Sequence, residues 1–202
     1  LVTAELVRDA LADEISLSDL GAHRLKDLIR HERIYQLNHP DLPFEFPAIR
    51  SLDTRPNNLP VQPTPLIGRV KEIEEVQHLL IDHEARLVSL VGIGGIGKTR
   101  LALQIAAEMI DLLDDGTYFV DLADASDPDM LPELIARTFS LDERLEGDWL
   151  SATISHIKRK ELLLVLDNFE QIIGGSKIVA DLLSSCPRIM IIVTSREGLR
   201  LR

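Results

Sequence analysis

Apolar residues follow two different spacings along this chain. Short runs of strand length lie at 87–91, 117–122, 162–167 and 189–194, and the third, Leu162-Leu163-Leu164-Val165-Leu166, is apolar at every position. Around them, apolar residues recur every three or four positions, the spacing of one helix face. Val70, Ile73, Val76, Leu79 and Leu80 form one such set, and the segment from Leu101 to Ile110 forms a second. Met130, Leu131, Leu134, Ile135 and Phe139 form a third, with Asp127 as N-cap and Pro128 in the first helical position. Trp149, Leu150, Ile154 and Ile157 form a fourth, and a helix over 169–184 with a break at Gly174-Gly175 ends before Pro187. Continuous apolar strands imply burial on both faces. Helical connections between them imply parallel pairing, because parallel neighbours need a long crossover. The expected fold is α/β, a three-layer domain around a parallel sheet spanning residues 64–202.

The first 63 residues read differently. Residues 1–12 have a helical pattern, with Val2, Leu6 and Leu11 on one face and Arg8 and Asp9 outward. Ile15 to Ser18 alternates as a strand does, and Gly21 is expected to break it. Further short strands are expected at 24–28 and 33–37, with a charged turn at Arg30-His31-Glu32. Residues 1–39 thus form a small α+β segment with too little core to fold well alone. Seven of the ten prolines then fall between Pro40 and Pro65, which predicts an extended connector over 40–63. Phe44, Phe46, Ile49 and Leu52 are its candidates for packing on a neighbouring surface.

The chemistry concentrates after the first strand of the α/β segment. Gly92-Ile93-Gly94-Gly95-Ile96-Gly97-Lys98-Thr99 has the pattern G-x-x-x-x-G-K-[ST], set between an apolar strand and a helix. That context makes it a phosphate-binding P-loop: backbone N–H groups surround phosphate oxygens, helped by the positive end of the helix dipole. Lys98 is placed to reach the β- and γ-phosphates, the Thr99 hydroxyl to hold Mg²⁺, and Arg100 follows within the nucleotide-binding set. The run 162–166 ends in Asp167, as a Walker B strand does, so Asp167 and Thr99 are the expected metal ligands. Lys-Thr after the glycines favours a mononucleoside triphosphate over a dinucleotide.

Composition narrows the remaining classes. With 33 acidic against 22 basic residues the net charge is −11, and aromatics are 4%. Neither phosphate-backbone contacts nor base-stacking platforms fit that balance, so no direct nucleic-acid contact is expected. The lone cysteine, Cys186, cannot form an internal disulfide and suits a cytoplasmic location as a core thiol. The apolar runs are too short to span a membrane. The six histidines show no metal-ligand spacing. Beginning at Leu1 and ending at Arg202 without evident terminal signals, the chain reads as a fragment of a longer protein whose other domains are its expected partners.

Two resemblances add to this. The stretch 15–43, ISLSDLGAHRLKDLIRHERIYQLNHPDLP, resembles the C-terminal tail of a class III adenylate/guanylate cyclase domain. That family's metal aspartates and transition-state Asn/Arg pair have no counterpart in residues 1–38, so no cyclase activity is expected from this chain. Pro65-Leu66-Ile67-Gly68-Arg69 ahead of the P-loop, together with Leu166-Asp167-Asn168-Phe169-Glu170-Gln171, resembles STAND-type P-loop ATPases of the NB-ARC/AP-ATPase group in bacterial regulators. The resemblance assigns Ile67, Gly68 and Arg69 to the adenine side of the site. It assigns Arg196, after Thr194-Ser195, to a sensor that contacts the γ-phosphate and completes a catalytic set with Lys98 and Asp167. It places the strand at 189–194 between the P-loop and Walker B strands, and it implies a missing fifth strand and one exposed sheet edge. Asn168 stands where many hydrolytic relatives have Glu, which implies slow hydrolysis. Glu170 is the nearby carboxylate that could substitute, although its direction is not legible from sequence. The implied function is an ATP- or ADP-binding regulatory module of a signalling or transcriptional regulator. The alternatives are a catalytically active P-loop hydrolase or kinase, or part of a cyclase whose catalytic residues lie elsewhere.

Overall fold

The computed structural model describes residues 2–8, 10–12, 14–23, 25, 31–43, 46, 49, 51–52, 55–82, 85–141 and 148–199. It divides into two compact units, Leu1–Thr54 and Arg55–Arg202.

In the first unit, helix α1 (Val2–Arg8) is followed by strands β1 (Ser16–His23) and β2 (Glu32–Asn38), which pair antiparallel. Gly21 does not end its strand. β1 continues through it to His23, and the register shifts between Asp19 and Gly21. Gly21 has φ +94, and its N–H bonds the Asp19 carboxylate at 2.9 Å. The glycine therefore accommodates a bulge, a second use of a positive φ inside a strand. Leu6 is 71% exposed and so does not sit on a packed helix face. Of the expected strand at 24–28 only Leu25 is described, outside any strand, and the rest of it, Arg30 of the expected turn and Phe44 lie outside the described residues.

The second unit carries the sheet. Its strands are β3 (Leu87–Val91), β4 (Thr117–Asp121), β5 (Leu163–Asp167) and β6 (Met190–Ser195), all parallel in the order β3-β6-β5-β4. The strand at 190–195 thus lies between the P-loop strand and the Walker B strand. Helices α2 (Val70–Ile81) and α3 (Lys98–Met109) cover one face, while α4 (Leu131–Thr138), α5 (Trp149–Ile157) and α6 (Ser176–Ser185) cover the other. Alternation along the central strands produces the three layers. Leu163, Val165 and Ile192 pack with Ile73, Val76, Ile105 and Met109, whereas Leu164, Leu166, Ile191 and Val193 pack with Leu131, Ile135, Ile157 and Leu182. β5 is buried at all five positions, but β3, at the end of the strand order, leaves Val91 51% exposed.

Asp127 caps the turn at Pro128–Met130 by accepting from Asp129 N, and Asp148 caps α5 by accepting from Ser151 N. The segment after β5 is not one helix. Phe169–Gly175 forms 3-10 turns kinked at Ile172, and regular α-helix starts only at Ser176. Cys186 is fully buried, and that burial raises its thiol pKa. At the β4 edge the proline-rich segment takes part in the sheet: Asn57 bridges to Thr117. The Asn58 side-chain amide donates to Phe119 O at 2.8 Å, and its carbonyl oxygen accepts from Phe119 N at 2.6 Å.

Candidate nucleotide site

All four strands point their C-terminal ends to one edge, where loops from different strands converge. That is the usual ligand edge of an open parallel sheet. The loop from Gly92 to Gly97 leaves β3 there and enters α3 at Lys98. Gly95 (φ +80) and Gly97 (φ +92) take left-handed backbone, which lets the loop curl and its N–H groups turn inward. A Cβ on either would meet nothing within 4 Å, so the cradle is open above both. Gly92 N donates to Ser195 O at 3.3 Å and ties the loop to the end of β6. The Lys98 ammonium lies inside the loop, donating to Gly92 O at 2.9 Å and Ile93 O at 3.1 Å.

Thr99, in the first turn of α3, faces the end of β5. Its hydroxyl donates to both Asp167 oxygens, at 2.8 and 3.0 Å. Asp167 is 3% exposed and also accepts from the Thr194 hydroxyl and from Asn168 Nδ2, the latter at 3.1 Å. These donors satisfy the buried carboxylate oxygens, which would otherwise be costly to bury. One hydroxyl and one carboxylate, with all donor atoms oxygen, are what Mg²⁺ takes from protein when phosphates and water complete its shell, so the residues present fit that ion. Among the described residues no group of three or more His, Cys, Asp or Glu gathers into another metal site.

Asn168 has φ +59. Among non-glycine residues Asn is one of the few that enters this region readily, so its presence here has a backbone cause as well as a chemical one. Its side chain bridges Asp167 and Asp121, reaching Asp121 Oδ1 at 3.3 Å, and its N–H donates to Thr194 Oγ1 at 3.1 Å. Asp121 closes β4 level with Asp167. Sequence reasoning passed it over, although the same pattern of an apolar strand ending in Asp marks both.

Arg196 follows β6. Its Nε pairs with Glu170 Oε1 at 3.0 Å, and a Cβ on Gly94 would meet its guanidinium at 3.9–4.0 Å. Arg196 therefore lies against the P-loop. Arg69, also left-handed at φ +64, donates to Ile96 O at 3.3 Å and pairs with Glu72 at 3.4 Å. It too touches the loop, and Gly68 (φ +75) precedes it. Ile67 is 90% exposed. Arg100 donates to Thr64 O, Thr64 Oγ1 and Pro65 O at 2.8–3.1 Å, so it fastens the entry segment to α3. No helix among the described residues is long and apolar enough to cross a membrane.

Comparison with known proteins agrees with this geometry. Residues 69–198 match the family described as NB-ARC domain. A Mycobacterium bovis protein that carries the name of an HTH-type transcriptional regulator is 39% identical over 113 residues, covering 55% of this chain and 13% of its own length. An uncharacterized protein of the same organism is 35% identical over 139 residues, covering 68% of this chain and 35% of its own. The chain thus spans only a small part of these relatives. Among solved structures, Cdc6p from Pyrobaculum aerophilum superposes with a TM-score of 0.51 at 18% identity, covering 67% of this chain and 40% of that one, a likeness of fold.

Proposed function

The chain belongs to the NB-ARC domain family and is a nucleotide-binding P-loop ATPase module; from that premise we propose that it is a nucleotide-dependent switch. In this reading ATP or ADP, with Mg²⁺ held by Thr99 and Asp167, biases the arrangement of domains in a longer signalling or transcriptional regulator of the cytoplasm. The P-loop from Gly92 to Thr99 cradles the phosphates, and Lys98 turns from the loop carbonyls to the β- and γ-phosphates. Ile67, Gly68 and Arg69 line the adenine side. Residues 1–39 belong to a cyclase-like domain and 40–63 to the connector. The name of the Mycobacterium bovis relative supports a transcriptional setting.

The observation that carries the switch is Arg196 against Gly94. A switch needs a group that distinguishes its two ligands, and a cation at the loop rim on the strand beside Walker B meets a γ-phosphate that a diphosphate lacks. Asn168 supports slow turnover, because an amide cannot take a proton from the attacking water.

The experiment compares binding with turnover. At saturating nucleotide, thermal stabilisation should approach the roughly 2.7 kcal/mol expected at a hundredfold excess over Kd. Lys98→Ala should abolish it, and if the shift survives, the site assignment is wrong. Fast multiple turnover by the wild-type chain would instead identify a catalytic hydrolase or kinase.

A further inference from the structure

Glu170 has no place in the nucleotide set, yet its side chain is only 13% exposed at the ligand edge of the sheet. Both of its oxygens are committed to one residue. Oε1 pairs with Arg196 Nε at 3.0 Å, and Oε2 accepts from the Arg196 backbone N–H at 3.2 Å. The turn that carries it is anchored at the two residues just ahead of it. Fully buried Phe169 precedes it, and Asn168 N–H is bonded to Thr194 of β6. Glu170 is therefore fixed to the same two strands that deliver Asp167 and Arg196.

Arg196 has no such anchoring of its own, since its side chain is 67% exposed. An exposed arginine samples many rotamers and loses that freedom when it grips a phosphate. The contact with Glu170 occupies Nε and the main chain, which leaves the terminal nitrogens of the fork to other acceptors. The guanidinium lies against Gly94, where a Cβ would meet Nε and one terminal nitrogen at 3.9 Å. The carboxylate charge is spent on the arginine, so it does not confront a phosphate directly.

We propose that Glu170 is a positioning residue that sets the preference of this site for nucleoside triphosphate over diphosphate, by holding Arg196 over the P-loop at Gly94. The proposal rests on the assignment of Arg196 to the γ-phosphate. Diphosphate does not extend to Arg196, so Glu170 contributes to triphosphate affinity alone.

The test measures dissociation constants on the whole chain for ADP and for a β,γ-imido analogue of ATP, each with Mg²⁺. Glu170→Gln should lower the triphosphate preference roughly three- to tenfold, the scale set by freezing an arginine in advance, and leave ADP affinity unchanged. Arg196→Ala should lower the preference roughly tenfold or more. The double variant should match Arg196→Ala alone, since Glu170 acts only through the arginine. Arg196→Lys keeps the charge but lacks Nε, and it should lose preference as Glu170→Gln does, which gives a second arm if that variant folds poorly. If Glu170→Gln keeps or raises the preference while Arg196→Ala lowers it, positioning is overturned and Glu170 is a competitor or a bystander. Equal weakening of both nucleotides makes Glu170 a support of the fold and sinks the proposal. If Arg196→Ala leaves the preference intact, the γ-phosphate assignment fails first and this inference falls with it.

Discussion

At the ligand edge of the sheet, Gly95 and Gly97 hold positive φ with nothing within 4 Å of where a side chain would begin. At the opposite edge Gly116, just before β4, also has positive φ (+84), but a Cβ there would fall 1.8 Å from Pro56 O. That carbonyl already accepts from Thr117 N at 3.2 Å. The same residue type with the same backbone freedom thus serves two ends. Above, glycine keeps space open for a ligand. Below, it lets a second stretch of chain close onto the sheet. The lower end is finished protein, and the upper end is shaped around atoms the chain does not supply.

Substitution by alanine separates the two uses, and the largest effect is expected below. Gly116→Ala combines a left-handed alanine with an overlap against backbone, so about 2–5 kcal/mol of stability should be lost. The urea midpoint would report it, and nucleotide affinity of the folded protein should not change. A loss of only about 1–2 kcal/mol, the backbone strain alone, means Pro56 can move away cheaply, and the contrast weakens. Gly97→Ala above should cost only the strain of the backbone, about 1–2 kcal/mol. Relief of that strain rotates the N–H groups at the start of α3, so the nucleotide-dependent rise in melting temperature should be lost. If that rise persists, the loop does not depend on the left-handed residue, and the upper glycines are not reserved for ligand.

Much of the upper end was legible from sequence because its residues lie in one short string. Gly92 to Thr99 needs no tertiary knowledge, and the apolar run ending at Asp167 names its partner. The strand order followed from resemblance. What sequence left out depends on packing between distant segments. Glu170 is six residues ahead of helix α6 and could point anywhere until the 3-10 turn fixes it on Arg196. Asn168 reads as a chemical substitution, and only its φ of +59 shows a conformational reason. Arg100 follows the P-loop threonine, yet its guanidinium holds Thr64 and Pro65. The proline-rich stretch signals a connector, and prolines do bar it from a regular strand. Asn58 works around that bar by offering a side-chain amide to Phe119 in place of a backbone pair.

The smallest predicted effect concerns pH, and it too belongs to the lower end. His156, in the last turn of α5, is partly buried beside the Phe139 ring at 5.3 Å and accepts a hydrogen bond from Lys160 Nζ at 2.7 Å. Burial first, and the Lys160 charge second, lower its pKa from 6.5. The folded chain therefore prefers the neutral ring more than the unfolded chain does. The stability this confers is complete above pH 6.5 and is lost as pH falls from there through the lower folded value. Melting temperature should decline with acid across that window, and His156→Gln, which keeps an acceptor for Lys160 but cannot titrate, should flatten this part of the profile. The ratio of triphosphate to diphosphate affinity should not follow the same curve, because His156 sits at the end of the sheet away from the phosphates. A ratio that tracked the titration of His156 would mean that the two ends of the sheet are coupled.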